Sequence, residues 1–167
     1  RLVHRLLQFL PELPKARRAA ACRRFLKVPA HGLSAEQQAA IAAEVLRLFD
    51  LPELAPLFGR DSLAEAPLTG LVETQGGRIL VSGQVDRLVV GDEEVAVIDY
   101  KTNRPPPLTE AEVSPLYLRQ MAAYAALLGR IYPGLRVRCA LLWTDGPRLM
   151  WLDPERLRSL APGAGAP

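Results

Sequence analysis

At 167 residues, 49 % hydrophobic, with a formal charge of +3 and a pI near 9.1, the chain is sized for one domain with a sizeable buried core. No apolar run reaches the ~18 residues of a membrane helix, and no charged-then-apolar leader opens the sequence. The basicity is mild, so charge alone says little about a polyanionic partner; the start at Arg1 reads as a piece cut from something longer.

The first third reads as helices. Leu2, Val3, Leu6, Leu7 and Leu10 recur at helical spacing, and Pro11 and Pro14 stop that run. Residues 15–27 form a second helix carrying Lys15, Arg17, Arg18, Arg23, Arg24 and Lys27, with no acid among them. Two readings of that stripe stand: phosphate contacts, or a solvated face. Ser34 followed by Gln37 is a capping box. It opens a third helix on which Ile41, Val45, Leu46 and Phe49 share a face before Pro52.

The middle reads as strands. Segments 67–74, 78–90 and 94–101 are β-rich and separated by the turn pairs Gly76-Gly77 and Gly91-Asp92. Three prolines, Pro105 to Pro107, stop the sheet. A helix over 115–131 follows, then strands over 135–143 and 148–152, then a Pro/Gly/Ala tail over 161–167, expected to be mobile. The order predicts an α/β domain over 1–160: a mixed β-sheet flanked by helices, with an N-terminal helical segment over 1–60 and a sheet-and-helix core over 63–153. The two cysteines, Cys22 and Cys139, form no metal-type pair. A reduced, cytoplasmic setting is the default, and two thiols cannot supply the four ligands of a usual zinc or iron–sulfur site.

The most informative stretch runs from Val95 to Lys101. Four apolar residues mark a buried strand, which then places Asp99 and Lys101 two apart. Side chains alternate along a strand, so these two share a face and Tyr100 points away. Charges on a buried face call for a purpose; a strand-end salt bridge at the solvent boundary is the plain alternative. The preceding strand carries Asp86. If the hairpin turns symmetrically about Asp92 and Glu93, Val90 faces Val95, Leu88 faces Val97 and Asp86 faces Asp99. A turn at Gly91-Asp92 would shift that register. Two facing carboxylates ~5 Å apart repel, and a bound cation removes the penalty. Two acids and a lysine at a strand end suit phosphodiester hydrolysis: the acids hold a hydrated Mg²⁺, the ion activates water, and the lysine steadies developing charge. A structural Ca²⁺ is the competing use, although no EF-hand-like loop is visible.

Asp86 with Asp99-Tyr100-Lys101 resembles the PD-(D/E)XK nuclease superfamily. Gly83-Gln84-Val85-Asp86-Arg87 and Ile98-Asp99-Tyr100-Lys101-Thr102 look like its RecB-type branch, as do Gln120-Met121-Ala122-Ala123-Tyr124 and an N-terminal histidine helix at Leu2-Val3-His4-Arg5. Within that branch the resemblance is to the C-terminal nuclease domains of AddA-type bacterial helicase–nucleases. It implies a restriction-endonuclease-like fold. It implies metal ligation by His4, Asp86, Asp99 and the Tyr100 carbonyl, catalysis by Lys101, and support of the lysine or of DNA by Gln120 and Tyr124. Mg²⁺, with Mn²⁺ as substitute, is the implied cofactor. Cys22 and Cys139 depart from cluster-bearing relatives, so no iron–sulfur cluster is expected.

Implied partners are DNA, in single-stranded form, helicase domains of the same parent chain, and a second helicase–nuclease subunit. Arg87 is read as structural, pointing to the opposite sheet face. Glu65, ahead of the predicted sheet, is a weak further candidate. No phosphate-binding Gly-x-x-x-x-Gly-Lys-Ser/Thr loop is present, so ATP hydrolysis is not expected of this chain. The rival to an enzyme is a catalytically silent module that binds DNA or a partner protein.

Overall fold

The computed structural model describes residues 1–163. Three helices open the chain: α1 (Leu2–Phe9), α2 (Lys15–Leu26) and α3 (Ala35–Leu48). Strands β1 (Ser62–Thr74), β2 (Gly77–Val90) and β3 (Glu94–Lys101) follow, then α4 (Pro115–Ile131), β4 (Arg136–Trp143), β5 (Arg148–Trp151) and α5 (Pro154–Leu160). The five strands form one sheet in the order β1-β2-β3-β4-β5. Every neighbouring pair is antiparallel except β3 and β4, which run parallel. A parallel pair needs a long crossover, and α4 supplies it. The fold is thus a mixed sheet flanked by helices with helical segments at its N-terminus.

Strand β3 sits at the centre and is apolar on both faces, as its unbroken run from Val95 to Ile98 demands. Val95 and Val97 join Cys139 and Leu141 of β4 under Leu118, Met121 and Leu128 of α4. Ala96, Ile98 and Tyr100 join Ala140 and Leu142 under Leu6, Leu7 and Leu10 of the N-terminal layer and Val45 of α3. Two cores therefore meet back to back across β3. Among the described residues no helix is long and apolar enough to cross a membrane.

Local signals explain most element ends. Ser34 caps α3 through the Gln37 amide while the Gln37 side chain answers at the Ser34 amide, which satisfies two orphan donors at once. Helix α5 lies beyond the predicted elements, although Asp153 at its N-cap and Pro154 at its first position are the usual start signal. Strand β1 begins at Ser62 rather than 67, so Glu65 lies inside the sheet, not ahead of it. The expected mobile tail falls mainly on residues 164–167, outside the described residues.

One irregularity shapes the rest. Along β1 and β2, Ala64 pairs with Arg87 and Ala66 with Val85, but Glu65 and Asp86 between them are left out of the ladder. Glu65 adopts the left-handed conformation, φ 52°, which costs a non-glycine residue about 1–2 kcal/mol. The faces slip here too. Val81 and Val85 pack into the α4-side core, and so does Leu88, three positions on. Strict alternation would send Leu88 to the other face. The kink turns Asp86 out of the regular up-and-down series and toward β3.

Burial pushes the Cys139 thiol up to about 12 and raises that of Cys22, and both side chains are buried. The native protein at pH 8 should therefore resist iodoacetamide over a period in which a urea-unfolded sample takes two labels. Rapid native labelling at Cys139, read by mass spectrometry, would contradict this packing.

Candidate active site

The hairpin register expected from sequence holds as far as the ladder runs: Val90 pairs with Val95, Leu88 with Val97, and Arg87 with Ile98. Pairing stops there, one step short of Asp86 and Asp99. In its place, the Asp86 side chain fills the gap between the strands. Its Oδ2 accepts the Tyr100 backbone N–H at 2.6 Å. Its Oδ1 lies 3.0 Å from Nδ1 of His4, which reaches in from α1. A carboxylate doing the work of a ladder carbonyl leaves the two strands parted at the level of Asp99.

Asp99 and Lys101 share the α4 face, as alternation requires. Lys101 Nζ lies 2.6 Å from Asp99 Oδ2, with the two side chains 11 % and 9 % exposed. The pair is therefore a strand-end salt bridge drawn mostly out of solvent. The lysine ammonium also sits 3.7 Å over the Tyr117 ring of α4, a cation–π contact strengthened by desolvation. Burial is the main reason the Asp99 carboxyl is raised above the usual carboxylate range; Lys101 opposes this and Asp86 adds to it. His4 is raised chiefly by its hydrogen bond to Asp86, with burial opposing. Its ring meets Tyr100 edge-on at 5.7 Å.

Asp86, Asp99, Lys101, His4 and Tyr100 are thus brought to one strand end. Gln120 and Tyr124 form a pair of their own on α4, Gln120 Nε2 to Tyr124 hydroxyl at 3.4 Å. Tyr124 is only 6 % exposed and packs on the backbone of β2 at Gly83. A Cβ there would lie well inside contact distance of the Tyr124 hydroxyl and 3.0 and 3.1 Å from its ring. This docks α4 on the strand that carries Asp86 and leaves the Tyr124 ring facing the interior. Sequence reasoning missed Tyr117, whose helical position gives no hint of a lysine partner. A cleft of about 360 Å³ opens beside it, lined in part by Asn103, Ser114, Tyr117 and Trp143.

The donor set of two carboxylates, an imidazole and a backbone carbonyl is chemically suited to a hard divalent cation. Each acid already has partners within the protein, Asp86 in His4 and the Tyr100 amide, Asp99 in Lys101. Among the described residues, no three His, Cys, Asp or Glu side chains are grouped as a metal cage. A cation would have to compete with these internal partners.

A mixed sheet with an acid on one strand, Asp-x-Lys at the end of the next and a crossover helix behind defines a nuclease fold. The chain belongs to the PD-(D/E)XK nuclease superfamily, whose family model matches residues 1–160. It is similar to an ATP-dependent helicase/nuclease from Pelotomaculum thermopropionicum, 33 % identical over 132 residues, covering 64 % of this chain and 10 % of that protein. The protein of the same description from Oenococcus oeni is 35 % identical over 75 residues, 44 % of this chain and 6 % of that one. The chain thus corresponds to about a tenth or less of the length of these relatives, each described as one subunit of its enzyme. A candidate exonuclease from Eubacterium rectale shares the fold, with a TM-score of 0.51 over 92 % of this chain and 62 % of that one, at 11 % identity.

The close fit at Gly83 yields a prediction. Gly83→Ala should cost about 1–3 kcal/mol in urea unfolding, the usual range for overpacking. Combining it with Tyr124→Phe, which removes the most crowded atom, should recover part of that loss. Strict additivity in the double variant would mean that the two positions do not touch.

Proposed function

We propose that the chain is the divalent-metal-dependent nuclease domain of a larger bacterial helicase–nuclease, hydrolysing DNA phosphodiesters exonucleolytically on single strands in double-strand-break repair. The observation that carries this reading is the convergence of Asp86, Asp99 and Lys101 where β2 and β3 part, with His4 against Asp86. Asp86, Asp99, His4 and the Tyr100 carbonyl would hold Mg²⁺, or Mn²⁺ in its place. Such a cation polarises the scissile phosphate and lowers the pKa of bound water.

The protein's own part is positional. Lys101, gripped between Asp99 and the Tyr117 ring, holds a fixed positive charge where a pentacovalent phosphate would gather negative charge. Gln120 and Tyr124 set the distance between α4 and the strand of Asp86. The parent chain would supply helicase domains and work with a second subunit in the cytoplasm; the descriptions of the relatives support both. A second reading is favoured by the internal partners that both acids already have: a silent module that holds DNA or a partner protein.

Removing Lys101 outright would strand the buried Asp99 charge, so Lys101→Gln, which keeps a hydrogen-bond donor, is the cleaner variant. Its rate of Mg²⁺-dependent digestion of single-stranded DNA should fall ~10²–10³-fold, while Mn²⁺ affinity by calorimetry holds. Asp99→Ala should abolish that affinity. Digestion at the wild-type rate by Lys101→Gln would remove the lysine from the mechanism. No digestion by the wild-type chain within its intact parent would leave the binding module.

The basic stripe divides on inspection. Arg18 is committed to the carbonyls of Leu13 and Pro11 and to the Phe49 ring, and Lys15 pairs with Asp50 at 3.1 Å. Arg17, Arg23, Arg24 and Lys27 remain exposed. If they meet single-stranded DNA, changing all four to Gln should flatten the log–log salt dependence of binding by up to about 3, at ~0.7 per phosphate contact. An unchanged slope would assign them to solvent or to protein.

A further inference from the structure

Arg87 is 1 % exposed, and no carboxylate among the described residues lies within ion-pair distance of it. An isolated buried charge is costly unless hydrogen bonds compensate, and here they do, in three directions. Nε donates to the Tyr100 hydroxyl at 3.1 Å, one terminal nitrogen to Ser62 Oγ at 3.3 Å, and the other to the Leu7 carbonyl at 2.5 Å. The guanidinium also lies 5.3 Å from the centre of the Phe58 ring. A planar fork of five donors can serve three elements at once, as a lysine ammonium on a flexible stem cannot.

The Leu7 acceptor is the telling one. Leu7 sits in the last turn of α1, where its regular helical donor would be the N–H of residue 11. That residue is Pro11, which has none. Arg87 thus supplies the missing donor, and does so with a positive charge at the negative end of the helix dipole. Helix α1 has two polar ties to the strands that carry the acids. One is His4 to Asp86, whose acceptor is an acid of the candidate site. The other is Leu7 to Arg87, which involves neither acid.

We propose that Arg87 is the positioning residue that clasps α1 to the sheet through the Leu7 carbonyl and so holds His4 at the candidate metal site. Because it fixes His4 in place, the inference rests on the metal reading given above for that residue, while the clasp itself does not. Tyr100 is held by the same group: its hydroxyl accepts from Arg87 Nε, while its amide donates to Asp86. A single guanidinium therefore ties the helix that carries His4 to the Tyr100 side chain of β3.

The test uses the full chain with Arg87→Met, Arg87→Lys, His4→Ala and the double variant Arg87→Met/His4→Ala. Hydrogen exchange should show the hydrogen-bonded amides of Arg5–Phe9 losing at least tenfold in protection in Arg87→Met, with β3 and β4 keeping theirs. Arg87→Lys should lose protection too, because the planar fork is gone. Adding Pro11→Ala, which gives Leu7 a backbone donor, should restore much of it. Mn²⁺ affinity should fall about tenfold in Arg87→Met, the lower end of what removing a ligand's supporting partner costs. It should fall no further in the double variant than in His4→Ala.

Unchanged α1 protection in a folded Arg87 variant overturns the proposal, as does loss spread evenly over the sheet, or affinity losses that add. Should neither Arg87 variant fold, Tyr100→Phe removes one of the three acceptors with the guanidinium in place. Weakened α1 protection there supports the clasp, and unaltered protection overturns it. Wild-type Mn²⁺ binding that survives Asp99→Ala would defeat the metal reading instead, and the exchange arm would still decide the clasp.

Discussion

The parting of β2 from β3 beyond the Arg87–Ile98 pair is the constraint on which the site depends. Were the ladder to continue, Asp86 would be one more strand residue facing up or down. Because it stops, the Asp86 carboxylate occupies the plane of the sheet and takes a backbone amide that a carbonyl would otherwise take. The strained Glu65 on one side and the apolar run of β3 on the other hold the break open. Strain of this kind persists only where the surroundings over-determine it, and here the two apolar cores do so.

Much of this is legible in the sequence. The hairpin register follows from the turn at Asp92 and Glu93 and from apolar residues pairing with apolar ones, and the common face of Asp99 and Lys101 follows from alternation alone. The capping box at Ser34 and Gln37 is local chemistry and forms as its spacing predicts. The limits are tertiary. Nothing in the residues around 85–88 announces the slip of faces, which coincides with a left-handed Glu65 across the strand pair. The burial of Tyr124 has no local signal, because only the absence of a side chain at Gly83, many residues away in sequence, makes room for its ring. Helix α5 escapes for another reason: its start signal is present, but seven residues are too short for periodicity to register.

Charge follows the same pattern. A buried arginine without an acid looks like an error on sequence grounds, and Arg87 reads there as no more than structural. Its three acceptors show that the missing partner is not a carboxylate but a set of neutral oxygens, one of them orphaned by a proline. The two polar pairs at the site carry the opposite lesson. Lys101 with Asp99 and His4 with Asp86 each find a partner within the protein, so neither acid lies in the interior without one.

The parallel pairing of β3 with β4 has a consequence for the order of assembly. β1, β2 and β3 are linked by tight turns and can meet early, whereas β4 finds β3 only after the whole α4 crossover has formed and folded back. Contacts of that separation are entropically slow to close. Tyr117, which grips the lysine, and Trp143, which neighbours it in the ladder, both arrive with that late step. A chain still emerging would therefore hold His4, Asp86, Asp99 and Lys101 before it held the Tyr117 ring and the β4 neighbour that fix the lysine.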